Sequence, residues 1–389
     1  MSPYLICLSL SPSHMQARCC EICGFWVTPP SCVAPMSTVA RFAFAALFLL
    51  PTASAGSAHF TAKTRRGRPS VRLLLDVDTG VDDAMAITLA TRLPNVHLEA
   101  ITVVAGNGNL STSYDNTLRT LNAIDRTDVP VYRGADRPID GRWKTEKTYF
   151  GRDNFGGVSA QYPVSRNTAT DPQTAGYVKM IELAKDNKGQ QTLVVMAPLT
   201  NLAIALLMAP DILGGIGHVY ILGGTLYGKG NVNPTAEFNF FTDPEAALVV
   251  LRRATCPVTI IPWEAVLQAT VPWDTYYSIT KKSGPLQKFL RDITTHTVQC
   301  CLSGGQSPGG FSVGDFVAVL AAAVPESVAS TLEHRVDVER CGEYARGQLV
   351  HAWESKILPG VKRNVTIVKS FDVSLVSEYF KYTFDQAEM

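Results

Sequence analysis

Short apolar runs alternate with helical patterns over most of the chain. Val71–Val77 is a mostly apolar run that reads as a buried strand, and Asp82–Leu93, rich in Ala and Leu, follows it as a helix. Leu98–Val104 reads as a second strand and Tyr114–Ile124 as a second helix. Thr192–Met196, His218–Leu222 and Pro257–Ile261 are further short β-branched runs, each followed by loop chemistry and a helical stretch. Continuous apolar strands separated by helices predict an α/β fold, a mostly parallel central sheet covered by helices on both faces. No internal repeat, low-complexity linker or second composition regime breaks the pattern, so one domain is expected over 71–389.

The start of the chain follows a different rule. From Met36 it carries one Arg, an apolar run Phe42–Leu50, Pro51, and small residues ending Ala53-Ser54-Ala55. That is the layout of a cleavable signal peptide over 36–55, with the apolar run about half of what a bilayer span needs. The expectation is a secreted protein without a stable membrane anchor, 1–55 being extension plus signal and 56–70 a basic leader. Residues 1–35 hold Cys7, Cys19, Cys20, Cys23 and Cys32 and read as an upstream extension from a misplaced start. Cys20 and Cys23 have CxxC spacing but no second pair at zinc-site distance. Cleavage would leave Cys256, Cys300, Cys301 and Cys341, a number compatible with two disulfides. Asn109 and Asn364 head acceptor sequons.

Composition adds exclusions. Across 389 residues, 46% are hydrophobic and 18% charged, which is too apolar for a disordered chain. With 35 basic against 34 acidic residues there is no basic excess to suit nucleic acid or an anionic membrane. A homo-oligomer is left open.

The chemistry is concentrated where the first strand ends. Asp76-Val-Asp78-Thr-Gly80-Val-Asp82-Asp83 places four carboxylates within eight residues, two of them in the first turn of the next helix. A helix N-terminus stabilises one or two negative charges by about 0.3–1 kcal/mol each, too little for four at close range. A cation or protonation is therefore implied. Hard oxygen ligands with no His or Cys nearby favour Ca²⁺ or Mg²⁺ over zinc. The plainer alternative, helix capping and loop hydrogen bonds, suits single members of the cluster such as Asp76 better than the whole.

This block resembles the DxDxGxDDA fingerprint of the nucleoside hydrolase family, with Thr79 where proline is common. Ile101–Asn107, Ala197–Asn201, Ala236–Asn239 and Thr242–Ala247 are similar to further family blocks in the same order, so the likeness runs from about Val71 to Phe380. The resemblance implies hydrolysis of the N-glycosidic bond of a ribonucleoside to free base and ribose. It implies one Ca²⁺ held by Asp78, Asp83, the Met196 carbonyl and Asp315, with Asp78 as general base for the attacking water. It assigns Asp82, Asn107, Asn231, Glu237 and Asn239 to the ribose hydroxyls. Asp243-Pro244-Glu245 reads as structural, a helix cap with proline in the first turn.

Two departures bear on the leaving base. Gly314 and Phe150 stand where many members have a His able to protonate it. Phe150 is then the expected stacking surface, with Tyr149, Tyr227 and Trp263 behind it, and purine ribonucleosides are favoured. Two rival functions remain in view. A nucleoside-binding relative that has lost turnover would explain Gly314. A haloacid-dehalogenase-type phosphatase would explain the DxD at a strand end, although Gly80 sits where that chemistry wants Thr or Val.

Overall fold

The first apolar run becomes the middle of the molecule. In the computed structural model the described residues are 68–142, 149–165, 173–304, 309–361 and 363–385. The signal-type segment 36–55, the five upstream cysteines and most of the 56–70 leader lie outside them.

Strand β1 (Val71–Val77) pairs in parallel with β2 (Val96–Val103), and β2 with β3 (Val131–Arg133). On its other side β1 pairs with β4 (Gln191–Val195), followed by β5 (Ile216–Leu222) and β6 (Val258–Ile261), again all parallel. Two short strands, β7 (Thr270–Val271) and β8 (Phe311–Ser312), form a separate antiparallel pair, as do β10 (Val336–Val338) and β11 (Leu349–His351). The sheet is completed by β12 (Val365–Phe371), parallel to β6, and at the edge by β9 (Val328–His334), antiparallel to β12. The edge strand alternates half-buried and exposed positions, as a strand with one covered face should.

Helices cover both faces. They are α1 (Val81–Arg92), α2 (Leu110–Ala123), α3 (Gly176–Asn187), α4 (Thr200–Met208), α5 (Phe238–Thr242) and α6 (Pro244–Arg253). Beyond β6 follow α7 (Trp263–Gln268), α8 (Trp273–Thr280), α9 (Pro285–Gly304), α10 (Phe316–Ala323) and α11 (Val373–Phe384). Alternation along β1 divides the core in two. Leu73, Leu75 and Val77 join the cluster containing α1, α10 and α11, while Leu74 joins Leu193, Leu202, Leu206 and Val250 on the opposite face. All three leucines are buried, so truncating any of them to Ala should cost about 2–5 kcal/mol.

The structure moves some expected boundaries. The second helix begins at Leu110 because the Asn109 side chain caps it, accepting from the Thr112 N–H at 2.8 Å. Two disulfides are not formed: Cys256 is a free thiol buried next to β6, and Cys341 is a free thiol in an exposed turn. Asp243 does cap α6, accepting from Ala246 N–H at 2.9 Å, with Pro244 in the first turn.

Strand order and helix packing together bring acids to one end of the sheet. The chain runs from β1 outward through β2 and β3, then returns to the other side of β1 for β4 to β6. The loop after β1 therefore sits at the switch in strand order, where open α/β sheets form a crevice. Helix α10, apolar at every position and wholly buried, lies against α1. Asp82 and Asp83 open α1 and Asp315 precedes α10, so the two packed helices carry acids at their N-termini.

Candidate active site

At the end of β1 the chain passes through Asp76, Asp78 and Gly80 and turns into α1. Asp76 is fully buried, and its Oδ1 accepts from Asn201 Nδ2 at 2.8 Å and from Thr102 Oγ1 at 2.7 Å. Asp76 thus ties β1 to β2 and α4 underneath the crevice. Thr79, in the position common to proline in the resemblance, is bonded through its hydroxyl to Thr117 at 2.6 Å.

Asp78 is gripped by the loop after β2. Its Oδ2 accepts the Asn107 backbone N–H at 2.6 Å, and its Oδ1 accepts Asn107 Nδ2 at 3.2 Å. The backbone reaches this close because the preceding residue is Gly106, where a Cβ would fall 2.0 Å from Asp78 Oδ2. Asn107 is held in turn by Asn154, whose Nδ2 donates to the Asn107 carbonyl at 2.9 Å.

Asp83 Oδ2 accepts the Gly80 N–H at 2.8 Å, while its Oδ1 is buried with no hydrogen-bond partner. Carboxylate oxygens of Asp82, Asp83 and Asp315 lie within 4.8 Å of one another. Burial pushes the carboxyls of Asp78, Asp83 and Asp315 well above the usual range, and the neighbouring acids push them further. Burial also raises Asp82 to about 6, and Asp76 and Glu237 to about 7. A knot of acids with a buried, donorless oxygen is costly by itself. All its donors are hard oxygens, so the residues present fit a divalent cation of the Ca²⁺ or Mg²⁺ type.

Beside the acids lies the loop from β5 to α5. Glu237 is buried; its Oε1 accepts Asn239 N–H at 2.8 Å, and its Oε2 accepts Gly224 N–H at 3.0 Å and Phe240 N–H at 3.2 Å. It caps α5 and is coupled electrostatically to Asp82 and Asp315. Asn239 Nδ2 donates to the carbonyls of Leu222 at 3.1 Å and Met196 at 3.4 Å, so the Met196 carbonyl faces this side of the site. Asn231 stands apart from the buried group, exposed on the same loop, with its backbone N–H on the Ala236 carbonyl at 3.1 Å.

Phe150 forms the wall over Gly80. A Cβ on Gly80 would meet the Phe150 ring at 2.9 Å and Asn107 Nδ2 at 3.1 Å. Tyr149 stands edge-on to Phe150 with centroids 4.8 Å apart. Asn116 Nδ2 holds the loop against the acidic turn, donating to the carbonyls of Asp153 at 2.9 Å and Thr79 at 3.3 Å. Tyr227 is exposed and stacks on Trp353 instead, their planes 4° apart. Trp263 packs at the margin of the core.

Gly314 has φ +47°, and a Cβ there would fall 2.2 Å from Asp82 Oδ2. A side chain at this position would have to displace an acid of the site, so glycine here is demanded by the close approach as well as by the backbone.

Sequence reading did not single out Asn116, Asn154 or Glu264. Glu264 follows β6 at the crevice end of the sheet, the one signal that would have raised it.

Comparison with known proteins gives the family. The family model described as inosine-uridine preferring nucleoside hydrolase matches residues 73–378. The pyrimidine-specific ribonucleoside hydrolase RihB of Escherichia coli strain SE11 is 34% identical over 228 residues, 59% of this chain and 71% of that protein. A solved inosine-guanosine nucleoside hydrolase superposes with a TM-score of 0.74 at 30% identity, covering 82% of this chain and 99% of that one. A purine-preferring ribonucleoside hydrolase from Gardnerella vaginalis gives 0.72 at 28% identity, covering 80% and 98%. The phosphatase and binding-only alternatives fall away, and the chain belongs to the nucleoside hydrolase family, enzymes that split the N-glycosidic bond of ribonucleosides.

Proposed function

We propose that this ribonucleoside hydrolase works with Ca²⁺ held by Asp78, Asp83, Asp315 and the Met196 carbonyl, and that it favours purine ribonucleosides. The observation that carries the cation is the buried, partnerless Asp83 Oδ1 among the converging acids of α1 and α10. When bound, such an ion supplies a water of lowered pKa and a template for the ribose hydroxyls.

The chain's own groups account for the remaining steps. Asp78 takes the proton of the attacking water. The two bonds from Asn107 fix both of its oxygens, so its orientation is set before substrate arrives. Asp82, Asn107, Glu237, Asn239 and Asn231 bind the sugar. Ionised carboxylates around the ring stabilise the positive charge that develops on the ribosyl carbon as the bond to the base breaks. Phe150, backed by Tyr149, offers the base an aromatic face. The preference for purines rests on that face and on the missing His at positions 150 and 314. Stacking on a large base then takes over part of leaving-group activation. The signal-type segment at 36–55 supports secretion of the mature enzyme.

The test is an assay of inosine, adenosine, uridine and cytidine hydrolysis with and without chelator, measuring free base and ribose. Release that is lost on chelation, restored by Ca²⁺ and fastest with the purines supports the proposal. Metal-independent release would overturn the cation, and faster pyrimidine release would overturn the preference.

A further inference from the structure

The turn after β5 is tied down by two buried carboxylates, Glu237 and Glu264. Glu264, in the first turn of α7 directly behind β6, is buried and aims both oxygens at this turn. Its Oε2 accepts the Leu226 N–H at 2.7 Å, and its Oε1 accepts the N–H groups of Tyr227 at 2.9 Å and Lys229 at 3.1 Å. Glu237 takes Gly224 N–H from the other end of the same segment. From the side, His351 Nε2 bonds the Thr225 carbonyl at 2.8 Å. Trp353 lies over His351 with centroids 5.2 Å apart and stacks on Tyr227. Three backbone donors on one buried carboxylate are charge-assisted bonds, and losing their acceptor leaves those N–H groups without a partner.

We propose that Glu264 is a positioning residue for substrate binding. It holds residues 226–229 at the rim of the crevice, and so sets where Asn231, two residues further on, and Glu237, where the loop returns, can meet the ribose. Glu264 touches none of the acids assigned to the cation and acts through the loop backbone alone. The inference rests on the proposed function for its kinetic reading and on geometry for its structural one.

The test compares Glu264→Ala and Glu264→Gln with the wild type in the calcium-loaded enzyme. For Glu264→Ala we expect KM for the ribonucleoside to rise about tenfold or more while kcat falls by less than about threefold. The amides of residues 226–229 should exchange with deuterium at least about tenfold faster, with residues 196–201 unchanged. Glu264→Gln keeps one carbonyl oxygen as acceptor and should recover most of the KM. It also serves as the working variant if the alanine protein does not fold, in which case it should show a smaller rise in KM and faster exchange confined to the same segment. An unchanged KM with wild-type exchange in the turn overturns the proposal. So does a fall in kcat and Ca²⁺ affinity at constant KM, which would mark Glu264 as a general support. If the wild type hydrolyses no ribonucleoside yet the exchange pattern appears, the proposed function fails and the latch stands.

Discussion

The two ends of the crevice are built on different principles. The acidic end is closed over by secondary structure: Asp78 ends a fully paired central strand, Asp83 and Asp315 sit at the heads of two packed helices, and each is buried. The aromatic end hangs on loops. Phe150 belongs to a loop segment packed into the core, its ring buried and its neighbours bonded by Asn116, Asn154 and Arg119, and Tyr227 to a turn held by Glu264. A carboxylate in a rigid, water-poor site can be costly alone and strongly bound to a cation, whereas an exposed aromatic ring on a turn, as at Tyr227, adapts at low cost. Under the proposed function the chemistry falls to the acidic end and the contact with the base to the loops. Proteins named for purine and for pyrimidine substrates are both similar to this chain.

The largest effect is expected at Asp78. Asp78→Ala should lower kcat by about 10³-fold or more, the scale of a lost general base with its metal contact, while circular dichroism stays native. Full activity in that variant would break the contrast at its rigid end.

Next in size is the coupling of cation, pH and stability. In the cation-free protein Asp82 is raised to about 6 and Asp76 and Glu237 to about 7. Between about pH 4 and 7 the folded chain therefore holds protons that the unfolded chain has released, and stability falls as pH rises through that window. A divalent ion binds the ionised acids, so its stabilising effect should run the opposite way. Scanning calorimetry should show Tm in chelator dropping from about pH 5 to pH 7.5, and a Ca²⁺-induced gain larger at the higher pH. A gain independent of pH would remove the acids as ligands.

A smaller effect is expected from Gly314→Ala. The positive φ and the clash with Asp82 should cost about 1–3 kcal/mol in urea unfolding and raise KM for the ribonucleoside, since Asp82 must shift. Gly314→His should raise kcat no higher than that of the wild type, for the same reason. The smallest change in catalysis should come from Phe150→Ala, although burial of the ring makes its cost in stability about 3–5 kcal/mol. Its kcat/KM for inosine should fall about three- to tenfold, with a lesser fall for uridine; equal falls would deny the ring a role in choosing the base.

Local order was legible. The strand, acidic loop and helix from Val71 to Arg92 follow from apolar continuity, a glycine and the capping preference of acids, all of which act within a few residues. The cap at Asp243 follows from the same rules. The family blocks were legible as short strings because backbone turns and close approaches limit what each position accepts. Boundaries were less so: Asn109, the head of a sequon, caps the second helix. Glu264 was not legible because a single acid after a strand carries no pattern.

By itself the amino-acid sequence determined the α/β class, the parallel sheet and the acidic turn, since each arises from interactions between near neighbours along the chain. Only the tertiary structure decided that Asp82 joins Asp83 and Asp315 in one acid group, that position 314 has no room for a side chain, and that Tyr227 turns away to Trp353. Those outcomes depend on how α1 and α10 pack and on which loops meet at the crevice. Packing between distant segments is a sum of many weak contacts that no local motif encodes.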